Sequence, residues 1–213
     1  MKNNKSILIL GDGLLGSELV KQTGWNYVSR KEHIDFTKPE TYEYLINTFD
    51  VIINCIAHTD TYGKDRQKHW DVNYKGVADL VDICNKHNKK LIHISSDYLY
   101  TYSKSNATEK DVPVHCSNWY GYTKLLAEPF KYDEAWMNQI GNFDYVSVIA
   151  NLITKLVKKD CSGIYNVGTK VKSMYELAMR TKPDVKPIDK LINNSTPKNL
   201  TMSIKKCEDV ING

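Results

Sequence analysis

The sequence predicts an α/β fold in which a doubly wound parallel sheet carries a small C-terminal lobe. Short apolar runs alternate along the chain with longer amphipathic stretches, as in strands joined by crossover helices. A glycine-rich turn follows the first apolar run, where a strand of such a sheet passes into its first helix. The 213 residues, 41% of them hydrophobic, suffice for one core. We expect the sheet domain over residues 1–128, and over 129–213 the part that completes the sheet and forms the lobe.

Four apolar runs are the strand candidates of the sheet. They span residues 6–10, 26–30, 51–55 and 90–95. Helices are predicted between them, over residues 14–23, 39–48 and 66–87. Pro39 lies near the first turn of the middle helix, where proline is tolerated. The long third helix carries an apolar stripe at helical spacing that we expect to face the core, formed by Trp70, Val77, Leu80, Val81 and Cys84.

Beyond the fourth strand the pattern is less regular. Residues 101–117 are polar and contain a proline, which predicts a loop excursion. Residues 142–157 have the spacing of an amphipathic helix, and residues 163–168, with glycine at both ends, indicate a strand. The tail from Lys182 is rich in proline and is predicted to be mostly loop.

The composition argues against nucleic-acid, membrane and metal sites. A net charge of +4 comes from 29 basic and 25 acidic residues that are dispersed along the chain rather than clustered. No apolar run approaches the ~18 residues of a membrane span, and the first run is too short for a signal peptide. The histidines lack metal-ligand spacing, and the scattered cysteines form no CxxC pair. Together these features predict a cytoplasmic protein with reduced thiols and no bound metal.

The glycine-rich turn is Gly11-x-Gly13-x-x-Gly16, directly after the first predicted strand. In a dinucleotide-binding Rossmann fold such glycines allow a tight turn, close approach of a pyrophosphate and close packing of helix on strand. The anion then lies at a helix N-terminus. The alternative is a glycine-rich turn that binds nothing.

Tyr120 and Lys124 are four residues apart, which places both on one face of a helix. A nearby ammonium favours the ionised phenol, so the tyrosine becomes usable as an acid or base nearer neutral pH. Ser96 follows the fourth predicted strand. Each feature alone also arises by chance, the serine as a turn former and the Tyr-Lys pair as an ordinary helix face. Their occurrence together with the glycine turn favours a redox site.

The end of the second predicted strand bears on the choice of cofactor. An acidic residue there usually binds the adenosine ribose hydroxyls, whereas basic residues accommodate a 2′-phosphate. This chain has Arg30 and Lys31 there and no acid before Glu32, which favours NADP(H), with NAD(H) as the alternative. The basic pair could equally be a solvated strand end.

Polar residues follow the third predicted strand, at the edge of the sheet where ligands bind in such folds. His58 and Thr59 lie there and are candidates for contact with cofactor or substrate. Asn73, in the long helix, is expected to tie down backbone near the site.

Several motifs occur in the order found in extended short-chain dehydrogenases/reductases, and the chain resembles this family. They are Gly11–Gly16, Val51–Thr59, Asp71–Asn73, Ile92–Tyr98, Asn118–Lys124 and Gly163–Gly168. The chain is most similar to the dTDP-4-dehydrorhamnose reductase branch, in which a Ser-Thr-Asp-Tyr run stands where this chain has residues 95–98. The resemblance covers residues 6–128 and again about 129–205.

The resemblance implies reduction of the C4 ketone of a nucleotide-activated 4-keto-6-deoxy sugar, for deoxysugar and glycan synthesis. It implies that Tyr120 protonates the ketone oxygen, Lys124 holds the nicotinamide ribose and Ser96 orients the carbonyl. The candidate cofactor residues are Gly11, Gly13, Leu14, Leu15, Gly16, Arg30, Lys31, Asp35, Cys55, Ile56, Ala57, Thr59, Asn73, Tyr120 and Lys124. The candidate substrate residues are His58, Tyr98 and Trp119. A homodimer is a further expectation.

The chain departs from the family after Glu128. Family members continue into a further strand, whereas here Pro129 follows at once, so that about twenty residues are missing by comparison. Either the segment exists outside the given sequence, or it is deleted. A deletion would favour a non-catalytic dinucleotide-binding subunit, like the regulatory subunit of methionine adenosyltransferase. A related nucleotide-sugar epimerase or dehydratase is the other alternative.

Overall fold

The structure is a computed structural model that describes residues 5–60, 63, 65–94, 106–109, 111, 120, 123, 140–180, 187 and 199–213. The strands of its larger sheet are β1 (Ile7–Leu10), β2 (Asn26–Val28), β3 (Val51–Asn54) and β4 (Lys90–His93). All pairs are parallel, and the order within the described residues is β2-β1-β3-β4. The predicted α/β class with a parallel sheet is confirmed.

The register of this sheet brings the carboxyl ends of its strands into one row. Leu10 pairs with Val28 on one side and with Asn54 on the other, and Asn54 pairs with His93. The segments that leave these strands therefore emerge side by side, at the edge where doubly wound sheets bind ligands.

Helices cover both faces of the sheet. They are α1 (Leu14–Thr23), α2 (Glu43–Ile46), α3 (Arg66–His69), α4 (Gly76–Lys86), α5 (Val146–Lys158), α6 (Met174–Met179) and α7 (Lys205–Asn212). Alternate strand residues point to opposite faces. Leu8 and Ile52 therefore pack with α2 and α4, whereas Ile9 and Ile53 pack with α1 and α5.

The first helix occupies the predicted residues 14–23 because glycine bounds it on both sides. Gly13 is its N-cap, and Gly24 ends it in the left-handed conformation, with φ of 70°, while its N–H donates to the carbonyl of Val20. Leu19 is fully buried against the sheet. The position of this helix over β1 follows from that apolar contact.

The long predicted helix at 66–87 is helical from Arg66 to Lys86, but its middle is π-helical over Trp70–Lys75. The rings of Trp70 and Tyr74 lie 4.6 Å apart in this segment. Val77, Leu80 and Cys84 are buried as predicted. The prediction was wrong for Val81, which is 38% exposed, and held only in part for half-buried Trp70.

The C-terminal part forms a second, small sheet in the order β6-β5-β7. Its strands are β5 (Ile140–Gly141), β6 (Lys172–Ser173) and β7 (Asn199–Leu200). The α5 helix, predicted over 142–157, begins at Val146 and packs against α1, where Gln22 Nε2 donates to the carbonyl of Ser147 at 2.9 Å. The C-terminal part is thus joined to the larger sheet.

Four predicted elements differ from the structure. The second strand ends at Val28 because Ser29 caps a 3-10 turn over Arg30–Glu32. The helix predicted at 39–48 is split into a 3-10 turn at Pro39–Thr41 and the short α2. Residues 163–168 form no strand, and the tail predicted as loop contains β7 and α7.

Within the described ranges, no helix is long and apolar enough to cross a bilayer. The same residues contain no cluster of three or more histidine, cysteine, aspartate or glutamate side chains that could hold a metal ion. In the described part of the chain, Cys55, Cys84, Cys161 and Cys207 form no disulfide. Cys116 lies outside the described residues.

Candidate functional site

The glycine turn packs α1 closely onto β1 and leaves open space above the helix N-terminus. Gly11 has a φ of 97°, and its N–H donates to the carbonyl of Val28 at 2.8 Å. A Cβ atom at Gly16 would lie 2.0 Å from the carbonyl oxygen of Gly11, so only glycine fits there. A Cβ atom at Gly13 would meet no atom within 4 Å. The turn can therefore admit a ligand group close to its backbone.

Gly11 and Gly16 thus shape the turn, and the open space lies beside Gly13. Ser17, in the first turn of α1, donates its hydroxyl to the carbonyls of Asp12 and Gly13 at 2.6 and 2.8 Å. These bonds hold the backbone of the turn in place without using the N–H groups at the start of the helix.

The segment after β2 presents basic side chains at the same edge. Ser29 and Glu32 form a capping box, in which Glu32 Oε2 accepts from the N–H and the hydroxyl of Ser29 at 2.7 and 2.8 Å. These bonds lower the pKa of Glu32 and hold its carboxylate against Ser29, at the start of the 3-10 turn. Arg30 is exposed, and Lys31 forms an ion pair with Asp12 of the glycine turn.

The segment after β3 passes over the glycine turn. Asn54 holds it, because its Oδ1 accepts from the N–H of Ile56 at 2.9 Å, and its Nδ2 lies 3.1 Å from Nδ1 of His93. Cys55 N–H donates to the carbonyl of Leu10 at 2.9 Å. A Cβ atom at Gly11 would lie 2.9 Å from Cγ1 of Ile56. Residues 55–57 are therefore fixed against the turn.

A buried polar cluster holds the continuation of this segment at His58. Asn73 Oδ1 accepts from the N–H of His58 at 2.8 Å, and Asn73 Nδ2 donates to the carbonyl of His58 at 3.1 Å. The same Nδ2 lies 3.2 Å from Nδ1 of His69, and Nε2 of His69 lies 2.9 Å from the carbonyl oxygen of Asp60. Asn73 acts on the site through backbone, as expected from the sequence.

The imidazoles of this cluster lead directly to Tyr120. The ring centroids of His58 and His69 are 4.5 Å apart, and those of His69 and Tyr120 are 5.2 Å apart with a tilt of 57°. Tyr120 is buried, with 1% of its surface exposed. The three rings form a continuous aromatic contact from the end of β3 to the candidate acid.

Burial lowers the pKa of both histidines. For His58 the cause after burial is the charge of Lys68, and for His69 it is the neighbouring His58. In the described part of the chain, the buried Nε2 of His58 has no hydrogen-bond partner. The cluster therefore stays uncharged around neutral pH, next to the phenol of Tyr120.

A cavity of about 1090 Å³ lies among the glycine turn, the segment after β3, α4, β4 and α5. Among the predicted site residues it is lined by Gly13, Leu14, Leu15, Cys55, Ile56, Ala57, Thr59 and Tyr120. The structure thus brings the glycine turn, the end of β3 and the candidate acid to one space. A cavity of this size accommodates a large organic ligand.

The C-terminal part supplies the opposite wall through Asn142, Phe143 and Asp144. Asp144 is buried and pairs with buried Lys172 at 3.1 Å. Burial alone would raise the pKa of Asp144. The hydroxyl of Thr169 and the Lys172 ammonium outweigh this effect and hold the pKa below its usual value. Asn142 Oδ1 accepts from the N–H of Met202 at 2.8 Å. This wall is therefore anchored to β6 and to the segment after β7.

The remaining predicted residues lie elsewhere. Gly11 and Gly16 shape the turn, and Arg30 and Lys31 stand beyond the described lining of the cavity. The carboxylate of Asp35 accepts from the N–H and the hydroxyl of Thr37, and these bonds lower the pKa of Asp35. Its role in cofactor binding stays a prediction. Four predicted residues lie outside the described residues, namely Ser96, Tyr98, Trp119 and Lys124.

Sequence reasoning missed three contributors to the site. His69 lies four residues before Asn73, on the same helix face, and this spacing is the signal that could have found it. Asp12, inside the glycine motif, could have been paired with Lys31 only from the register of β1 and β2. Asp144 carried no motif of its own.

Comparison with known proteins identifies what the chain is similar to. The family model described as the RmlD substrate binding domain matches residues 5–135, more than half of the chain. A dTDP-4-dehydrorhamnose reductase of Mycobacterium tuberculosis is 30% identical over 105 residues, which are 46% of this chain and 34% of the relative. A probable low-salt glycan biosynthesis reductase, Agl14, of Haloferax volcanii is 31% identical over 100 residues, 45% of this chain and 33% of the relative. The alignments thus span about a third of these curated relatives.

Solved structures agree on the fold. The dTDP-4-dehydrorhamnose reductase of Bacillus anthracis, determined in complex with NADP, superposes with a TM-score of 0.79 at 20% identity. The superposition covers 98% of this chain and 93% of that one. At this identity the likeness supports the Rossmann-type architecture.

Proposed function

Because the chain belongs to the RmlD substrate binding domain family, we propose that it reduces the C4 ketone of a nucleotide-activated 4-keto-6-deoxy sugar with a nicotinamide dinucleotide. The observation that carries the proposal is the cavity that Tyr120 shares with the glycine turn and the end of β3. An acid and a dinucleotide-binding turn on one space are what a ketone reductase requires. The names of the curated relatives support the same chemistry.

The residues of the turn fit a dinucleotide. The open space above Gly13 leaves room for a pyrophosphate at the N-terminus of α1, a helix of 10 residues. Cys55, Ile56 and Ala57, on the opposite side of the turn, would flank the nicotinamide half. The cofactor, when bound, supplies the hydride for the ketone carbon.

NADP(H) is the favoured cofactor, with NAD(H) as the alternative. Arg30 and Lys31 follow β2, where a 2′-phosphate would lie, while Glu32 is engaged by Ser29 and is turned away from a ribose. The proposed preference therefore rests on the basic pair Arg30 and Lys31.

The proton for the ketone oxygen would come from Tyr120. The Tyr120 ring packs against His69, whose two nitrogens are engaged by Asp60 and Asn73, so this imidazole does not compete for the phenol proton. From the family resemblance, Lys124 would bind the nicotinamide ribose and lower the phenol pKa, and Ser96 would hold the carbonyl oxygen. His58, Tyr98 and Trp119 remain the proposed sugar contacts.

The proposed division of labour follows the two sheets. Residues 1–128 would bind the dinucleotide, and residues 129–213 would form the sugar side of the cavity, beginning with Asn142–Asp144. We propose that the enzyme acts in the cytoplasm, where nicotinamide dinucleotides and nucleotide sugars are available. A homodimer remains part of this proposal.

Oxidation of NADPH by a panel of dTDP- and UDP-linked 4-keto-6-deoxy sugars tests the function. Turnover with at least one sugar is expected, with a fall of at least about a hundredfold in kcat for Tyr120→Phe. The control is Tyr27→Phe, which alters a partly exposed tyrosine on β2 and should leave kcat unchanged. Tight NADPH binding without turnover of any sugar would refute reduction and favour the non-catalytic subunit.

A further inference from the structure

Asp12 and Lys31 meet because of the register of two neighbouring strands. Leu10 pairs with Val28, so the residues that leave β1 and β2 emerge side by side. Asp12 is the second residue after β1, and Lys31 lies in the 3-10 turn after β2. Their side chains form an ion pair at the place where a dinucleotide's adenosine ribose would lie.

On the basis of the proposed function, we propose that Asp12 determines the discrimination between NADP(H) and NAD(H), because its carboxylate occupies the ammonium of Lys31 that a 2′-phosphate would need. The glycine motif thereby contains its own competitor for the phosphate. Binding of a phosphorylated ribose must displace the carboxylate, whereas binding of an unphosphorylated ribose leaves the pair intact.

The other acids near this edge are engaged elsewhere. Glu32 accepts two hydrogen bonds from Ser29, and Asp35 accepts from Thr37 and lies 3.2 Å from Lys38. Among the described residues, Asp12 is therefore the acid that pairs with Lys31. The pair raises the pKa of Lys31 and lowers that of Asp12, so both partners are charged at neutral pH.

Because the Asp12–Lys31 pair is exposed to solvent, a 2′-phosphate can displace the carboxylate from Lys31. The Lys31 side chain is 78% exposed and that of Asp12 is 28% exposed. Solvent-exposed ion pairs of this kind change an equilibrium constant by up to about fivefold. A phosphate carries up to two negative charges and accepts several hydrogen bonds, so it can replace the carboxylate, but with reduced affinity.

The backbone of Asp12 is also held in place. Its carbonyl accepts from Ser17 Oγ at 2.6 Å, which fixes the residue beside the start of α1. Its carboxylate therefore stays within reach of the Lys31 ammonium and keeps competing for it. This competition weakens the binding of NADPH and does not act on NADH.

Fluorescence titration of the full chain with NADPH and NADH measures this discrimination without turnover. Asp12→Asn is expected to lower the Kd for NADPH about three- to fivefold and to change that for NADH less than twofold. Lys31→Gln should raise the Kd for NADPH and leave NADH unchanged. In the Lys31→Gln background, the effect of Asp12→Asn should shrink to less than about twofold.

The control is Asp79→Asn on α4, which removes one charge from a pair with Lys75 at similar exposure. It should leave both Kd values unchanged. Equal changes for NADPH and NADH in Asp12→Asn, or the full gain without Lys31, would overturn the role of Asp12 while leaving the reductase proposal intact. Failure of the unaltered protein to bind either dinucleotide would overturn both.

Discussion

Asn73 donates a hydrogen bond to Nδ1 of His69 across 3.2 Å, and this bond determines which nitrogen of His69 carries the proton. The orientation of the Asn73 amide is set by His58, whose N–H donates to Oδ1 and whose carbonyl accepts from Nδ2. Nδ1 of His69 must therefore accept, and Nε2 donates to the carbonyl of Asp60. One buried amide thus fixes both the backbone after β3 and the imidazole beside Tyr120.

Asn73→Ala is expected to destabilise the protein by about 3 kcal/mol, because it leaves the N–H and carbonyl of His58 and Nδ1 of His69 without their partner. Urea denaturation followed by circular dichroism measures the change. Asn85→Ala, at an exposed position of α4, is the matched control and should stay within about 0.5 kcal/mol. Equal losses in the two variants would contradict the assigned role of Asn73.

Stability should fall as the pH drops below about 6.5, the ordinary pKa of histidine. The folded-state pKa values of His58 and His69 are lowered by burial, so below that pH the unfolded chain binds more protons than the folded one. Each histidine contributes a slope of at most about 1.4 kcal/mol per pH unit, which is absent well above pH 6.5.

The pH effect can be assigned by substitution. His69→Gln should reduce the slope of unfolding free energy between about pH 7.5 and 5.5. His33→Asn, at an exposed position, should retain the slope of the unaltered protein. A slope that persists undiminished in His69→Gln would exclude this histidine as its source.

Gly13 and Gly16 should respond oppositely to alanine. Gly16→Ala forces a Cβ atom to 2.0 Å from the carbonyl oxygen of Gly11, so a loss of stability of more than about 2 kcal/mol is expected. Gly13 has a φ of −64° and open space around it, so Gly13→Ala should fold with unchanged or slightly higher stability.

The second half of this prediction concerns binding. The methyl group of Gly13→Ala would enter the space proposed for the pyrophosphate, and the Kd for NADPH should rise at least about tenfold. Thermal unfolding and fluorescence titration of the same samples separate the two effects. Unchanged NADPH affinity in a stable Gly13→Ala protein would exclude this mode of binding.

Elements with start and stop signals in the sequence next to them were predicted correctly. Residues 14–23 were predicted and found as a helix because Gly13 and Gly24 stand at its ends. The π-helical segment at Trp70–Lys75 was not predictable, since the hydrophobic period there is compatible with a regular helix. The register of this segment matches the contacts that His69 and Asn73 make with the residues after β3. Those contacts are tertiary and leave no local signal in the sequence.

The errors near the C-terminus have a similar origin. Residues 163–168 alternate and are bounded by glycine, yet they extend no sheet, and Asn166 uses its N–H on Glu109 at 2.8 Å. The α7 helix was missed because the prolines before it dominated the interpretation of the tail. In the site, the basic pair after β2 was recognised as a candidate, but its acidic partner required the strand register.

The junction between α1 and α5 has a consequence for biosynthesis. Gln22 bonds to Ser147 across 125 positions of the chain, and α5 begins two residues after the wall at Asn142–Asp144. A nascent chain therefore completes its glycine turn long before the opposite wall has been synthesised. Until then the apolar side of α1 that later receives α5 has no cover from it, and this interval is when the growing chain is most prone to associate with other apolar surfaces.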